Sequence, residues 1–312
     1  MDDKGVINKI VLNIEKVIIG KEYEIYNILK GIIGNGHILI EDVPGVGKTT
    51  LVKALSKSVN LSYNRIQFTP DLLPSDITGI SIYNQKSMEF EFKKGPVFCN
   101  ILLADEINRT SPKTQSALLQ VMEEKQVSEG NNTYEMKEPF IVMATQNPVE
   151  YEGTFILPEA QLDRFMIKVK LGYPDKMYET KILSTYINDE PLKNLETVAD
   201  AEDILMIQKK VRQVSASKEI FDYIANIADA TRNNKFLILG ASPRASLALL
   251  RISQANAYIN GRDYIIPEDV RENVHIVLDH RLRSSSLAKS NNYTTSHVID
   301  DIMKTLPVPR IK

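Results

Sequence analysis

The 312-residue sequence predicts an α/β core with a parallel five-stranded sheet, followed by a small all-helical domain. The sheet is predicted by short apolar runs rich in β-branched residues, which suit strands buried on both faces of a parallel sheet. These runs cover residues 37–41, 63–68, 100–105, 140–145 and 166–171. Beyond residue 175 only helical periodicity is visible, so we place the core at residues 1–175 and the helical domain at 176–312.

Helical patterns separate the strands of the core. The segment TTLVKALSKSV (49–59) follows the first strand and its connecting loop. Residues 112–124 form a second amphipathic pattern, with Ser111 as the N-cap and Pro112 in the first turn. The later domain contains further helical patterns at 176–187, 202–213, 217–232, 244–260 and 267–278. Alternation of strands and helices in the first half favours a parallel α/β sheet.

Two segments of the core depart from this alternation. Residues 76–94 place apolar side chains before and after a polar turn, and residues 125–138 are centred on Gly130-Asn131-Asn132. Such patterns predict β-hairpins. We expect both hairpins to project from the α/β core.

The overall composition excludes several classes of protein. A net charge of −2 and a pI near 6.2 disfavour binding of nucleic acid by the whole surface. Cys99 is the single cysteine, which excludes an internal disulfide framework and a cysteine-rich zinc finger. The amino-terminal segment lacks the basic start and apolar run of a signal peptide, and no uncharged apolar run reaches the length of a membrane span. We expect a cytoplasmic protein without an integral membrane segment.

Residues 41–50, EDVPGVGKTT, lie between a predicted strand and a predicted helix and nearly match the phosphate-binding loop G-x-x-x-x-G-K-[ST]. Asp42 replaces the first glycine of that pattern at the end of the strand, where it leaves the inner loop amides free. We expect Lys48 to reach the β- and γ-phosphates of ATP and the Thr49 hydroxyl to bind Mg²⁺. The expected ATP-binding residues of the loop are Gly45, Val46, Gly47, Lys48, Thr49 and Thr50. The alternative is a glycine-containing strand-to-helix turn with an incidental lysine.

The run ILLADE (101–106) is an apolar strand that ends in two carboxylates. Asp105 is suited to hold Mg²⁺ through water, and Glu106 to orient and polarise the water that attacks the γ-phosphate. The next strand is followed by Asn147, whose neutral amide is suited to hold that water and to sense loss of the phosphate. The alternatives are a solvated acidic pair and an ordinary turn before Pro148. Because a bound nucleotide alone needs no water-activating group, the acidic pair favours hydrolysis.

Several motifs occur in the order found in one known family. They are EDVPGVGKT, LLADEINR, ATQNP, LPEAQLDRF and GASPRA. With this series the sequence, from about residue 10 to 310, resembles the MoxR family of AAA+ ATPases. The resemblance implies an AAA+ core, a helical lid domain, ATP and Mg²⁺ as ligands, and two insert hairpins that correspond to the two predicted hairpins. It also implies that VIIG (17–20), with Ile19 and Gly20, lines the adenine pocket, and the alternative is that this segment is plain core.

The resemblance also assigns roles to two arginines. Arg164 in EAQLDRF resembles the arginine finger, which reaches the nucleotide of a neighbouring subunit; without the family it would be interpreted as a salt-bridge partner of Asp163 or Glu159. Arg244 in GASPRA resembles sensor 2, a lid-domain cation that contacts the γ-phosphate. Its alternative is a solvent-facing residue near a helix start, where a cation opposes the helix dipole. Catalytic roles are therefore expected for Glu106, Asn147, Arg164 and Arg244.

The same resemblance implies a function. It implies a ring-forming ATPase, expected to be a hexamer, that matures or remodels partner protein complexes together with a von Willebrand factor A-domain protein. A metal-chelatase-like motor subunit would have nearly the same fold and ATPase mechanism. A nucleic-acid-dependent motor is a further alternative, but both hairpins are nearly neutral and lack the charge that neutralises phosphates in such a channel. We therefore expect protein partners and no nucleic acid.

Overall fold

The computed structural model describes residues 3–147, 155–187 and 189–310. The strands in those residues are β1 (His37–Glu41), β2 (Tyr63–Gln67), β3 (Gly79–Asn84), β4 (Glu89–Lys94), β5 (Ile101–Asp105), β6 (Gln126–Glu129), β7 (Asn132–Glu135), β8 (Ile141–Gln146), β9 (Phe165–Val169), β10 (Leu237–Leu239) and β11 (Arg283–Ser284). The helices are α1 (Asp3–Glu15), α2 (Glu22–Ile33), α3 (Lys48–Ser58), α4 (Pro74–Thr78), α5 (Pro112–Glu124), α6 (Glu159–Leu162), α7 (Lys176–Tyr186), α8 (Ala201–Val211), α9 (Lys218–Arg232), α10 (Pro243–Ile259), α11 (Pro267–Leu278), α12 (Ser286–Ser290) and α13 (Thr295–Thr305).

The predicted five-stranded parallel sheet is confirmed. Its strands lie in the order β2-β5-β8-β1-β9, and each neighbouring pair is parallel. All five strands are within two residues of the predicted apolar runs. Because β5, β8 and β1 are adjacent and parallel, their carboxyl ends lie side by side at one edge of the sheet. The loops that leave this edge carry the motifs for which a nucleotide was predicted.

Alternate side chains of the strands pack on opposite faces of the sheet. On one face, Ile38 and Ile40 of β1 belong to a hydrophobic cluster that includes α1, α2, α3 and the later helices. On the other face, Leu39 belongs to a second cluster with Phe68 and with Leu118 of α5. Strand side chains alternate with a period of two, so a strand buried on both faces is apolar throughout. This packing explains the nearly continuous apolar runs in the sequence.

Both predicted hairpins are present. Strand β3 pairs with β4 and β6 pairs with β7, each in antiparallel fashion, although residues 74–78 form helix α4 where the first hairpin was expected to start. The rings of Phe92 in the first hairpin and Tyr134 in the second stack with their centroids 4.4 Å apart. Near the turn of the first hairpin, Met88 and Phe90 are 72% and 74% exposed. The hairpins are thus in contact with each other, and the first presents apolar side chains to solvent.

The second half of the chain is mostly helical. Helices α7 to α11 lie within two residues of the predicted ones. Helix α13 was not predicted, although Val298, Ile299, Ile302 and Met303 form one buried face of it. One short antiparallel pair, β10 with β11, also occurs in this region. These strands have three and two residues, too few to produce a recognisable period in the sequence.

The helical region packs closely on the α/β core. Strand β9 ends at Val169 and α7 begins at Lys176, so we keep a division near residue 175 as a proposal. One hydrophobic cluster extends across that division. The buried Lys30 of α2 donates from Nζ to Asn273 Oδ1 of α11 at 3.0 Å, and burial lowers the pKa of Lys30 to about 8. The two parts are therefore joined by apolar and polar contacts together.

Arg281, which follows α11, connects the helical region to the sheet. Its Nε donates to Asp163 Oδ1 at 2.8 Å, and its guanidinium also donates to the carbonyls of Phe165 at 2.6 Å and Met166 at 3.0 Å. Arg281 is 4% exposed. Burial lowers its pKa to about 10, and Asp163 partly offsets that effect. A charge this deeply buried depends on its partners.

We expect Arg281→Met to lower the free energy of unfolding by about 3 kcal/mol, because Asp163 loses its charged partner and the carbonyls of Phe165 and Met166 lose the guanidinium as a donor. Urea denaturation followed by circular dichroism measures this change. The matched control is Arg283→Met. Arg283 pairs with Glu159 but is 55% exposed, so its loss should cost at most about 1 kcal/mol. Equal losses for the two variants would contradict the role given to Arg281.

Candidate nucleotide-binding site

The loop between β1 and α3 forms an open cradle at the carboxyl edge of the sheet. Gly45 and Gly47 have φ values of 86° and 88°, which glycine adopts without the strain that a side chain would bring. A Cβ added at Gly45 would meet no atom within 4 Å. The loop leads directly into the amino terminus of α3 at Lys48. Backbone N–H groups and the dipole at a helix start favour an anion in this position.

A pocket of about 370 Å³ lies at this edge. Its walls come from the loop after β1 and from the ends of β2, β5 and β8. The lining residues are Pro44, Gly45, Gly47, Lys48, Thr49, Thr50, Arg65, Asp105, Glu106 and Asn147. Val46 instead packs against the hydrophobic cluster on one face of the sheet. The structure thus brings together most of the residues predicted to bind ATP and Mg²⁺, with Glu106 and Asn147 beside them.

Asp105 is held by two residues that the sequence did not indicate. Its Oδ1 accepts from Thr145 Oγ1 at 2.5 Å, and its Oδ2 accepts from Arg65 Nη2 at 2.7 Å. Arg65 lies on β2 and Thr145 on β8, the two strands that flank β5. Side chains at the same level on neighbouring parallel strands lie close together, but the sequence does not predict the order of the strands. Asp105 is therefore fixed at the pocket wall by contacts across the sheet.

Glu106 adopts an unusual backbone conformation beside Asp105. Its φ is 56°, in the left-handed region where residues other than glycine are uncommon. The Glu106 N–H donates to Thr145 Oγ1 at 2.8 Å. Its side-chain Oε2 accepts from Gln67 Nε2 at 2.6 Å and from Arg109 Nη1 at 3.0 Å. Strained residues held by several contacts are frequent at functional sites, and here the strain turns a carboxylate toward the pocket.

Lys48 is bound by the loop itself. Its Nζ donates to the carbonyl of Asp42 at 2.8 Å and to that of Val43 at 3.1 Å. Partial burial lowers the pKa of Lys48, while the nearby Asp42, Asp105 and Glu106 raise it. The ammonium group is therefore positioned at the pocket by backbone oxygens, from which it can turn to phosphate oxygens.

The residues at the pocket fit a magnesium ion. The Thr49 hydroxyl and the Asp105 carboxylate both line it, and both supply the oxygen ligands that Mg²⁺ prefers. Protein sites for Mg²⁺ with nucleotides commonly use only one or two such side chains plus phosphates and water. When bound, the ion would neutralise charge that develops on the phosphates.

Asp42 has a role that the loop pattern did not predict. Its Oδ2 accepts from the backbone N–H of Leu171 at 2.7 Å and of Gly172 at 2.6 Å, and its Oδ1 accepts from that of Val43 at 2.8 Å. Asp42 is 8% exposed. Leu171 and Gly172 lie in the connection between β9 and α7. The residue in place of the first glycine therefore ties the phosphate loop to the segment that leads into the helical region.

We expect Asp42→Gly, although it completes the loop pattern, to lower the free energy of unfolding by about 2–3 kcal/mol, because three backbone N–H groups lose a charged acceptor. The KM for ATP should rise as the loop loosens. Urea denaturation and steady-state ATPase assays measure the two effects. Asp42→Asn keeps the size and one acceptor oxygen, so its effect should be intermediate. A glycine variant that matches the parent in both measurements would contradict this role.

The segment predicted to line the adenine pocket lies beside the phosphate loop. A Cβ added at Gly47 would be 3.9 Å from Ile18 Cδ1, whereas Ile19 is buried in the core at 5% exposure. Gly20 has a φ of 74°, and a Cβ there would come 2.4 Å from Tyr178 Cγ of α7. The segment is thus enclosed between the loop and α7. Its role in binding adenine stays a prediction, and Tyr178 is an additional neighbour that the sequence did not indicate.

Arg164 and Arg244 lie together but outside this pocket. Arg164 Nε is 3.0 Å from Glu123 Oε2, as an ion pair without a well-aligned hydrogen bond, and Arg244 Nη2 donates to Glu123 Oε1. The alternative partners considered for Arg164 are occupied, since Asp163 bonds to Arg281 and Glu159 to Arg283. The arginines line a separate cavity of about 200 Å³ with Glu123 as a common partner.

The two arginines meet because a helix start is fixed beside Arg164. Ser242 caps α10 by accepting from the N–H of Ala245 at 3.0 Å, and its hydroxyl donates to Asp163 Oδ2 at 2.8 Å. This contact fixes the start of α10 beside Asp163. Arg244 lies in the first turn of α10, so it comes close to Arg164, the residue after Asp163. Sequence spacing did not predict it, because about eighty residues separate the two segments.

The arginine pair and the phosphate loop lie at opposite ends of β1. His37, the first residue of β1, lines the same cavity as Arg164 and Arg244. The phosphate loop follows Glu41, the last residue of that strand. A strand of five residues extends roughly 16 Å, which is longer than an arginine side chain. Neither arginine can therefore reach the pocket of its own chain in this conformation.

Comparison with known proteins agrees with this architecture. Residues 37–167 match the model of the ATPase family associated with various cellular activities (AAA), and residues 229–302 match the AAA lid domain. The chain is 39% identical to the chaperone MoxR1 of Mycobacterium tuberculosis over 98% of this chain and 83% of that protein. The chain belongs to the MoxR family of AAA+ ATPases. The resemblance inferred from the motifs is thereby confirmed.

The chain is also similar to a further sequence and to a solved structure. The uncharacterized protein YeaC of Bacillus subtilis is 48% identical over 97% of this chain and 95% of its own length. A crystal structure of a candidate ATPase from Cytophaga hutchinsonii is 41% identical and superposes with a TM-score of 0.91, covering 99% of this chain and 96% of that one. In the part of the MoxR-family chain that the structure describes, we find no helix with the length and apolar character needed to cross a bilayer.

Proposed function

We propose that this MoxR-family protein binds Mg-ATP in the pocket at the sheet edge and hydrolyses it between the subunits of a ring, expected to be a hexamer. The observation that carries the proposal is the position of Arg164 and Arg244 at the end of β1 away from Lys48 and Glu106. An arginine that completes such a site must come from another copy of the chain. A head-to-tail interface that closes on itself generates a ring.

Each pocket residue then has a role in hydrolysis. Lys48 would bind the phosphates, and Thr49 and Asp105 would hold Mg²⁺. Glu106 would accept a proton from the attacking water, and Asn147 would orient that water. Gln67 and Arg109 keep the Glu106 carboxylate in place before the reaction. Arg164 and Arg244 of a neighbouring copy would stabilise the charge on the γ-phosphate in the transition state.

The test of a shared site is the dependence of activity on protein concentration. ATPase activity per subunit should rise as the protein associates and should fall on dilution below the dissociation constant of the assembly. Activity is measured with Mg-ATP over a range of dilutions, and the mass of the assembly is followed by light scattering under the same conditions. An isolated monomer with full activity would contradict the proposal.

The work that hydrolysis drives is expected to be remodelling of partner proteins. One relative of this chain is named as the chaperone MoxR1, and the first hairpin carries the exposed Met88 and Phe90. The stack of Phe92 on Tyr134 joins the hairpins, so they would move as one surface when nucleotide changes the conformation. Exposed apolar side chains of this kind suit contact with another protein. A von Willebrand factor A-domain protein is the partner that we propose.

Partner binding is tested with a Glu106→Gln form that retains ATP. This form is used to capture proteins from a lysate with ATP and, as a control, without nucleotide. The matched variant carries Phe90→Ser and Met88→Ser as well, so that only the exposed hairpin surface differs. Recovery of a von Willebrand factor A-domain protein that depends on ATP and on those side chains is expected. Recovery of no protein that depends on them would contradict this part of the proposal.

A further inference from the structure

A carboxylate at the end of α5 lies between the two arginines. Glu123 Oε2 is 3.0 Å from Arg164 Nε, and Glu123 Oε1 accepts from Arg244 Nη2. Two guanidinium groups that close to one carboxylate repel each other, and the anion between them offsets that repulsion. Glu123 was not among the residues predicted from the motifs.

We propose that Glu123 is a positioning residue that holds Arg164 and Arg244 side by side for the triphosphate of a neighbouring subunit. This inference rests on the proposed shared site and adds a residue to it. Glu123 itself would not touch the nucleotide's reacting atoms. It would act through the two arginines, by fixing the distance and orientation between them before the neighbour's phosphate arrives.

The contacts with Glu123 leave both arginines able to bind an anion. Within residues 3–147, 155–187 and 189–310, the Nη1 and Nη2 groups of Arg164 have no hydrogen-bond partner, and neither do Nε and Nη1 of Arg244. These groups can donate to phosphate oxygens, which guanidinium groups bind with paired N–H donors. Arg251 lines an adjoining cavity with both arginines and adds positive charge, whereas the buried Arg281 in the same wall is paired with Asp163. The pair is thus part of a cationic surface.

Three anchored segments meet at this point. Helix α5 is fixed by its buried Leu118, Leu119 and Met122, which set the position of Glu123 one residue later. Arg164 follows Asp163, which is bound by Arg281 and Ser242. Because the backbones are fixed, the relative position of the two guanidinium groups depends on their flexible side chains. The carboxylate that both share limits that freedom.

The ion pairs of Glu123 are too exposed to act mainly on stability. The Glu123 side chain is 42% exposed and that of Arg244 is 45% exposed, and exposed pairs contribute little to folding. The hydrogen bond from Arg244 lowers the pKa of the Glu123 carboxyl, which therefore stays ionised at neutral pH. Loss of the carboxylate should accordingly change catalysis much more than folding.

The expected result for Glu123→Ala is a fall of kcat by about 10- to 100-fold, as for other small displacements of charged groups at a reaction centre. Binding of a fluorescent ATP analogue to the chain's own phosphate loop should be unchanged, because Glu123 does not line that pocket. The matched control is Glu124→Ala. Glu124 is the next residue of α5, is exposed and accepts only from Gln120 of the same helix among the described residues, so its kcat should equal that of the parent.

Mixing of variants separates a role at the subunit edge from a general structural role. A Glu123→Ala chain keeps an intact phosphate loop, and a Lys48→Ala chain keeps an intact arginine pair. Their mixture should regain activity. A mixture of Glu123→Ala with Arg164→Ala should not, because neither chain then has a functional arginine pair. Circular dichroism and light scattering confirm that each chain folds and associates.

Three outcomes would overturn the inference. They are a Glu123→Ala variant with the parental kcat, a mixture with Lys48→Ala that stays inactive, and a mixture with Arg164→Ala that regains activity. After the first or third outcome, the proposed shared site would still stand if the Arg164→Ala and Lys48→Ala chains restore each other's ATPase activity. Failure of that last pair would instead remove the proposed shared site, and the role of Glu123 with it.

Discussion

Replacement of Glu106 by glutamine should lower the rate of ATP hydrolysis by at least about 100-fold, because the amide cannot accept the proton of the attacking water. Binding of Mg-ATP should remain, since Lys48, Thr49 and Asp105 are unchanged. Glutamine has the size of glutamate and still offers an oxygen to Gln67 or Arg109, so the left-handed turn at residue 106 should persist. Single-turnover hydrolysis and equilibrium binding of a fluorescent ATP analogue measure the two effects separately.

The control for Glu106→Gln is Glu124→Gln, which removes the same charge from the exposed end of α5. It should leave both hydrolysis and binding at parental values. If Glu106→Gln hydrolyses ATP at a rate within tenfold of the parent, another group must activate the water. If it also loses binding, Glu106 instead holds the pocket together through its contacts with Gln67, Arg109 and Thr145.

The strands and the phosphate loop were predictable because their signals are local. The run at 37–41 is apolar throughout, as a strand buried on both faces must be, and the observed β1 has the same bounds. Gly45 and Gly47 mark positions of positive φ, which few other residues adopt. Ser111 and Pro112 likewise marked the start of α5 through the chemistry of a helix start. Each of these features depends on residues close in sequence.

The contacts that shape the acidic side of the pocket were not predictable in this way. Arg65, Gln67 and Thr145 reach Asp105 and Glu106 only because β2, β5 and β8 are neighbours in the sheet. Apolar periodicity predicts that a segment is a strand but contains no information about its neighbours. The motif likewise indicated only that Asp42 leaves the inner loop amides free, and it did not predict a structural role for this residue. Its bonds to Leu171 and Gly172 join segments about 130 residues apart, and only the folded chain reveals them.

Family resemblance indicated the two arginines but could not locate them. Their position depends on how α10 packs against the segment that contains Asp163 and Arg164, through Ser242 and Arg281. That packing brings Arg244 beside Arg164 at the start of β1, away from the phosphate loop at the end of that strand. The resemblance alone left open whether Arg244 acts on its own nucleotide or on a neighbour's. The observed separation by the length of β1 favours the neighbour.

Arg164→Ala should therefore lower kcat by about 1,000-fold or more, because an arginine supplied by a neighbour stabilises the charge of the transition state. Its own phosphate loop is intact, so the isolated chain should still bind Mg-ATP with parental affinity. Mixing Arg164→Ala with Lys48→Ala chains should restore part of the activity. With random mixing, about one quarter of the interfaces in a ring combine an intact loop with an intact arginine pair. The ATPase rate of mixtures at several ratios measures this fraction.

The control for the mixing experiment is a chain that carries both substitutions. Mixed with Arg164→Ala, it offers no interface with an intact pair of sites, so activity should stay at the level of Arg164→Ala alone. The prediction is contradicted if the single variants fail to restore each other although light scattering shows that they associate. Arg164 would then act within its own chain, which would require it to leave Glu123 and cross the length of β1.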